Sequence, residues 1–183
     1  MKIFVPDKYY KDIYDIDYKK LKESGIKTIL YDLDNTLALI SEGKPPKKVL
    51  DFIHKLRLDF DIYIVSNNNY KRIYKFCHEF EPDAEFVSFA LKPLTKGFKE
   101  VQKKKKYKKS EMCVVGDQLM TDVFGGNRFG CMTILVDPLG KKDLKVTFFN
   151  RFLENRIINH LSKKQILERG KYYEWEKMYR MWG

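Results

Sequence analysis

The chain has 183 residues, of which 44% are apolar and 15% aromatic, and it carries a net charge of +11. This length excludes two independent domains of ordinary size, and the composition excludes extensive disorder. No apolar run approaches the roughly 20 residues needed to cross a bilayer, and the first residues lack the apolar segment of a secretory signal. We therefore expect a cytoplasmic protein with one core and a peripheral tail.

The basic charge and the cysteines bear on possible partners. A positive surface favours polyanions, whether phosphorylated substrates, anionic lipid headgroups or nucleic acid. A genome biased toward lysine would give the same composition, so charge alone does not choose among these. Cys77, Cys113 and Cys131 lie in apolar segments at spacings that fit neither a zinc ribbon nor a disulfide framework, which predicts reduced core residues.

Apolar, β-branched runs alternate with helical patterns along the chain. Strands are predicted at 26–31, 62–65, 86–89, 112–115 and 132–136, with helices between them at 46–58, 70–80, 93–105 and 120–129. This alternation predicts an α/β fold, a parallel sheet with helices on both faces. In such sheets, ligands bind beyond the carboxyl ends of the strands, where the strand order reverses.

Residues suited to catalysis follow the predicted strands. Asp32 and Asp34 leave the first strand, and Ser66 leaves the second. Lys92 follows the third strand, and Asp117 leaves the fourth. Because parallel strands end at one edge of a sheet, these side chains are expected on a single rim.

The acidic residues of this rim indicate a metal site. Asp32 and Asp34 repel each other at a strand end unless a cation lies between them. Oxygen donors without His or Cys favour a hard cation, and beside phosphate that cation is usually Mg²⁺. Asp117 supplies a further carboxylate, and Asp122, about one helical turn later, is assigned to the metal shell.

The remaining rim residues indicate an anion pocket. Ser66, in the segment IVSNNN, offers a hydroxyl beside the N–H groups of a helix start. Lys92, held in extended geometry before Pro93, can neutralise phosphate charge from the opposite side. Each feature alone is common, but their order along the chain is informative.

With DLDNT at 32–36, Ser66, Lys92 and GDQLMTD at 116–122 in this order, the sequence resembles the haloacid dehalogenase (HAD) superfamily of hydrolases. The resemblance implies a Rossmannoid three-layer sandwich and a phosphatase in which Asp32 attacks phosphorus. It implies that Asp34 protonates the leaving group and later activates water. It further implies a set of ligands: Mg²⁺ held by the Asp32 carboxylate, the Asp34 carbonyl and Asp117, and phosphate held by Ser66, the Asn67 amide and Lys92.

The intervals between the motifs predict an enzyme without a cap domain. Caps in this superfamily are inserted after the first motif or between the second and third, and here each interval holds only one βα unit. A capless site stays open to large substrates. The segments DLDNTL, IVSNNN, LKP, GDQLMTDV and GGNR, within about residues 1–160, resemble the capless YqeG-type branch related to phosphatidylglycerophosphate phosphatases. The resemblance implies that the substrate is phosphatidylglycerophosphate.

Other functions stay open at this point. A basic capless phosphatase can act on phosphoproteins, on nucleic-acid termini or on small phosphomonoesters. Of these partners, nucleic acid is the one that we expect least, although the charge does not exclude it. A binding module that keeps the fold without catalysis is the least favoured interpretation, because both Asp32 and Asp34 are intact.

The sequence predicts three segments: 1–25 packing on the core, a catalytic domain at 26–146, and a basic amphipathic helical tail at 147–183. The apolar stripe of the tail is predicted to consist of Phe149, Phe152, Leu153, Ile157 and Leu161. Such a helix either docks on the body of the enzyme or contacts a membrane or partner, which would place the protein peripherally at the inner face of a membrane. The oligomeric state is not predicted.

Overall fold

A mostly parallel sheet organises the structure, a computed structural model that describes residues 2–80, 85–140 and 145–174. Its described strands are β1 (Lys8–Tyr10), β2 (Thr28–Tyr31), β3 (Asp61–Val65), β4 (Phe86–Val87), β5 (Met112–Gly116), β6 (Met132–Val136) and β7 (Tyr173–Glu174). Their order is β4-β3-β2-β5-β6-β1-β7, and within this part of the chain only β7 pairs antiparallel. The order reverses between β2 and β5, which predicts a ligand site at their carboxyl ends.

Helices cover both faces of the sheet, as predicted. They are α1 (Tyr18–Glu23), α2 (Lys47–Leu56), α3 (Tyr70–Phe80), α4 (Lys96–Lys105), α5 (Phe124–Phe129) and α6 (Lys145–Lys163), with a π-helical turn at Leu119–Val123. Side chains of a strand alternate between faces. Ile29 and Tyr31 accordingly join the core beneath α1 to α3, whereas Leu30 joins the core beneath α4 and α5. The α/β fold class is therefore confirmed.

Two strands complete the sheet beyond the predicted ones. β1 lies beside β6, so the segment 1–25 supplies a strand as well as packing contacts. β7 then pairs with β1, with Lys8 opposite Glu174 and Tyr9 opposite Tyr173. The first and last described strands thus meet at one edge of the sheet.

The face that α6 uses differs from the predicted stripe. Ile158 and Leu161 are buried against β1, β6 and the π-helical turn, and Ile157 packs at the margin of this core. Phe152, which the sequence places on the apolar stripe, is 52% exposed and does not take part in this packing. The face of α6 that packs on the body is shifted by about one residue from the predicted apolar stripe, because the side chains of Arg151 and Glu154 also turn inward. The side chain of Phe149 and residues 175–183 lie outside the described part.

All three cysteines are buried and none forms a disulfide, in agreement with the reduced core residues that the sequence predicts. Burial raises the pKa of the Cys77 thiol to about 12, which disfavours the reactive thiolate. Among the described helices, none has the length and apolar character that crossing a membrane requires.

Candidate active site

The predicted rim residues converge at the carboxyl ends of the central strands. The Asp32 backbone N–H donates to the Val115 carbonyl at 2.9 Å, so the chain beyond β2 runs beside the end of β5. The Lys92 Nζ lies 2.6 Å from Asp32 Oδ1 and 2.6 Å from Asp122 Oδ1. Carboxylate oxygens of Asp32, Asp117 and Asp122 all lie within 4.8 Å of one another, and these three residues are buried. Residues far apart in the chain thus form one charged cluster.

Asp122 reaches this cluster because of the backbone around it. The π-helical turn begins after Gln118, whose N–H donates to Asp122 Oδ2 at 3.2 Å. The turn brings the Asp122 side chain back over the end of β5. A Cβ at Gly116 would lie 2.2 Å from the Asp122 carboxyl carbon, so only glycine permits this approach. π-Helical turns of this kind are frequent at functional sites.

Asp34 has different surroundings from Asp32. Its carboxylate accepts hydrogen bonds from Asn68 Nδ2 at 2.6 Å and from Arg72 Nη2 at 3.0 Å. The next residue, Asn35, has a φ of 62, so the chain turns directly after Asp34. The side chain of Asp34 is therefore placed apart from the acids that surround Lys92, and the predicted metal contact of this residue depends on its backbone carbonyl.

The segment after β3 fixes the position of Lys92. The Asn67 side chain accepts a hydrogen bond from the Lys92 N–H at 2.7 Å and donates one to the Lys92 carbonyl at 2.8 Å. This use commits the side-chain amide of Asn67 to the lysine, so its predicted phosphate contact is left to its backbone N–H. Ser66 is buried beside it, and the Ser66 Oγ accepts a hydrogen bond from the Asn68 N–H at 3.3 Å.

Burial and like charges set the electrostatics of the cluster. Burial raises the pKa of the Asp32 carboxyl to about 7, and Asp122 and Asp34 add to this rise against the opposing charge of Lys92. Burial alone would lower the pKa of Lys92, but Asp122 and Asp32 outweigh it and raise that pKa above its usual range. Burial likewise raises the pKa of Asp117. The positive charge of the neighbouring side chains is therefore too small to offset the burial and mutual repulsion of these carboxylates.

Three further residues belong to the site, and their roles were not predicted. Arg151 of α6 donates to the Asp117 carboxylate and, at 3.0 Å, to the Asp117 carbonyl. Arg72 and Asn68 hold Asp34 as described above. In the sequence, Arg151 was one basic residue of an amphipathic helix and Asn68 one of several turn residues, so no local signal marked either. Thr36, the last residue of the DLDNT segment, donates to Asp117 Oδ1 at 3.3 Å.

The donor set fits a hard divalent cation. Among the residues that the structure describes, three carboxylates meet two cationic side chains, Lys92 and Arg151, so negative charge remains before any phosphate enters. A phosphate dianion would increase the repulsion. Carboxylate oxygens without nitrogen or sulfur donors are the ligands that Mg²⁺ prefers.

Comparison with known proteins places the chain among phosphatases. The family model described as mitochondrial PGP phosphatase matches residues 1–140. The chain is 39% identical over 165 residues to "Probable phosphatase YqeG" of Bacillus subtilis (strain 168), an alignment that covers 89% of this chain and 94% of that protein. It is 29% identical over 149 residues to "Phosphatidylglycerophosphate phosphatase 1, chloroplastic/mitochondrial" of Arabidopsis thaliana, covering 76% of this chain and 42% of the plant protein.

The fold also matches solved structures. A HAD-like family hydrolase from Porphyromonas gingivalis superposes with a TM-score of 0.50 at 15% identity, over 70% of this chain and 98% of that one. Fold, site and comparisons together define a HAD-type phosphatase, a phosphoric monoester hydrolase. Within that class, the chain belongs to the PGP phosphatase family and is similar to the YqeG phosphatase, as the motifs predicted.

Proposed function

We propose that this chain is a Mg²⁺-dependent phosphatase that hydrolyses phosphatidylglycerophosphate through an aspartyl-phosphate at Asp32. The observation that carries the proposal is the buried cluster of Asp32, Asp117 and Asp122 around Lys92, beside a separately held Asp34. Such a site can bind a phosphate, attack it and protonate the leaving group.

The residues of the chain divide the reaction among them. Asp32 attacks phosphorus, and its carboxylate must be ionised to do so. Lys92, bonded to the same carboxylate, keeps it oriented and contributes positive charge toward the phosphoryl oxygens. Ser66 and the Asn67 N–H are placed to donate to those oxygens. Asp34 gives its proton to the departing alkoxide and then takes one from the water that attacks the phosphorylated Asp32.

The metal would be held by Asp32, Asp117 and the Asp34 carbonyl, with Asp122 in the surrounding shell. Bound there, Mg²⁺ supplies charge that stabilises the phosphoryl oxygens and favours the ionised form of Asp32. Arg151 then shares Asp117 with the cation, and Thr36 keeps this carboxylate in position.

Two observations support a lipid phosphate as the substrate: the site is open, and the chain belongs to a family named for such a substrate. In the described residues, the chain passes from Asp34 to α2 and from Ser66 to α3 with no inserted cap domain. An uncapped site admits a headgroup that remains attached to a membrane. The plant relative is named for phosphatidylglycerophosphate, and the family description abbreviates the same substrate class. Other large phosphorylated substrates form the second candidate, supported by the same openness and the charge of +11.

The test compares substrates under one set of conditions. Phosphatidylglycerophosphate in detergent micelles, glycerol 3-phosphate, a phosphopeptide and a 5′-phosphorylated oligonucleotide are each offered with Mg²⁺. We expect the highest kcat/KM on the lipid, and we expect Asp32→Asn to abolish phosphate release from all four. Circular dichroism checks that this near-isosteric variant is folded. Higher kcat/KM on the peptide or oligonucleotide contradicts the lipid assignment, and near wild-type turnover by Asp32→Asn contradicts the role of the nucleophile.

A further inference from the structure

The loop that follows β4 carries exposed apolar side chains. Phe89, Leu91 and Leu94 are 58%, 50% and 52% exposed, whereas Ala90 and Lys92 between them are buried. The loop therefore directs the lysine inward to the site and its large apolar side chains outward to solvent. We refer to Phe89, Leu91 and Leu94 as the apolar fringe.

Backbone hydrogen bonds place this fringe at the mouth of the active site. The Phe89 N–H donates to the Asn68 carbonyl at 3.0 Å, and the Ala90 N–H donates to the Ser66 carbonyl at 3.0 Å. Asn68 itself binds Asp34 at 2.6 Å. The fringe is thus connected directly to the backbone that holds the general acid and the phosphate-binding serine.

The backbone of the fringe is strained. Phe89 has φ 46 and Leu91 has φ 55, which are left-handed conformations that bulky side chains rarely adopt. Strain of this kind is usually maintained where a loop has a functional task. Here the strained backbone directs two large apolar side chains toward solvent, where they contribute little to the core.

Basic residues border the fringe. Leu94 shares a surface groove with Lys96, Lys99, Lys103 and Arg128, together with one acid, Glu100. All four cationic side chains are exposed. Lysine is depleted from the cores of protein–protein interfaces, whereas it is favoured beside anionic lipid headgroups, which attract basic side chains. Apolar residues at a site mouth with lysines beside them fit a lipid surface better than a protein partner.

We propose that Phe89, Leu91 and Leu94 insert into the interface of an anionic lipid bilayer while the lysines of α4 contact lipid phosphates. The active site then faces the membrane surface. This inference rests on the proposed function for the identity of the lipid that is hydrolysed, but the docking itself is measured without turnover. The membrane-facing surface is assigned to the catalytic domain and not to α6, because Ile158 and Leu161 of that helix are buried in the fold and, among its apolar side chains that the structure describes, only Phe152 is exposed.

The test uses Phe89→Asn/Leu91→Asn, because asparagine tolerates positive φ and removes the apolar surface without adding backbone strain. The matched control is Leu58→Asn, which removes an 86% exposed leucine that precedes β3, at the amino ends of the strands, whereas the fringe follows the carboxyl end of β4. Each protein is sedimented with equimolar phosphatidylglycerol–phosphatidylcholine vesicles in the absence of Mg²⁺. Thermal melts confirm that the variants fold.

We expect the double variant to lose roughly tenfold or more in vesicle partition coefficient, since two large apolar side chains no longer leave water. Leu58→Asn should bind as the wild type does. Equal binding by the double variant, or no binding by the wild type, overturns the proposal. A dimer that the double substitution dissociates with vesicle binding unchanged also overturns it, by assigning the fringe to self-association.

A separate activity assay tests the proposed phosphatase function. Mg²⁺-dependent hydrolysis of p-nitrophenyl phosphate by the wild type tests the phosphatase without any membrane. Turnover of this ester without vesicle binding rejects the docking surface alone. Fringe-dependent vesicle binding without such turnover supports the docking surface and rejects the phosphatase mechanism.

Discussion

Two aspartates only two positions apart have separate surroundings, and this separation permits separate roles. Asp32 lies in the buried cluster with Lys92, whereas Asp34 is held by Asn68 and Arg72 at the start of α3. Arg72 also donates to the carbonyls of Glu42 and Leu39, so it fixes Asp34 and the following loop together.

This separation predicts the behaviour of Asp34→Asn. With p-nitrophenyl phosphate, the leaving group needs no proton, so the first step should proceed, while hydrolysis of the phosphorylated Asp32 should slow by about 10²- to 10⁴-fold. Rapid mixing should show a burst of one p-nitrophenolate per enzyme, with acid-stable phosphoprotein lost on treatment with hydroxylamine. Asp32→Asn is the control and should show neither burst nor turnover. Steady wild-type turnover by Asp34→Asn without a burst would refute the role.

The site residues that follow strand ends were predictable from the sequence, whereas those that tertiary packing brings to the site were not. Asp32, Ser66, Lys92 and Asp117 follow buried strands, so the topology of the sheet brings them together. Arg151 reaches the site from a helix far along the chain, and nothing in its local sequence distinguishes it from other surface arginines. Its partner, the carboxylate of Asp117, becomes visible only in three dimensions.

Among the elements, long buried strands were predictable and short or irregular elements were not. β2, β3, β5 and β6 were predicted to within two residues at each end, because continuous apolar runs mark buried parallel strands. β1 and β7 are too short to show a pattern. The strand predicted at 86–89 ends at Val87, because the loop turns outward and Phe89 adopts a positive φ. The helix predicted at 120–129 is a π-helical turn followed by α5, since Asp122 is directed to the cluster.

The contact of α6 with the site predicts a metal-linked effect of Arg151→Met. Arg151 neutralises the buried Asp117 and Glu154, so its removal should cost about 3–5 kcal/mol of unfolding free energy in the metal-free protein. Excess Mg²⁺ should restore much of this loss, because the cation also neutralises Asp117. Urea unfolding with and without Mg²⁺ measures both effects.

A second arginine provides the control for that measurement. Arg169 contacts Glu154 at 3.3 Å but is 41% exposed, and its guanidinium donates to Glu154 and Asn155. Arg169→Met should therefore destabilise the protein less, and Mg²⁺ should not compensate for its loss. Equal recovery of both variants by Mg²⁺ would show that Arg151 and the cation do not share Asp117.

For the molecule as a whole, the site joins parts of the fold that the chain keeps far apart. Asp32 follows β2 and Asp117 follows β5, the two strands between which the order of the sheet reverses. Their repulsion is part of the free energy of the folded state, because the two carboxylates approach each other only after the sheet forms. A cation that relieves this repulsion should stabilise the entire domain.

We therefore expect Mg²⁺ to raise the melting temperature of the wild type. A cation at about 100 times its Kd contributes about 2.7 kcal/mol, which corresponds to roughly 5–10 °C for a chain of this size. Asp117→Asn should lose this shift, whereas Asp34→Asn should keep most of it, since the Asp34 side chain lies outside the cluster. Calorimetry with and without EDTA measures the shifts. An unchanged shift in Asp117→Asn would place the cation elsewhere.

The buried state of all three cysteines has a practical consequence for spectroscopy. Thiol reagents need an accessible thiolate, and the native sulfurs are covered. A cysteine introduced at an exposed position, such as Leu91→Cys, can therefore carry a nitroxide or fluorophore while the natural thiols stay in place. Depth-dependent quenchers could then report where that position sits at a membrane in a protein whose interior packing is unaltered.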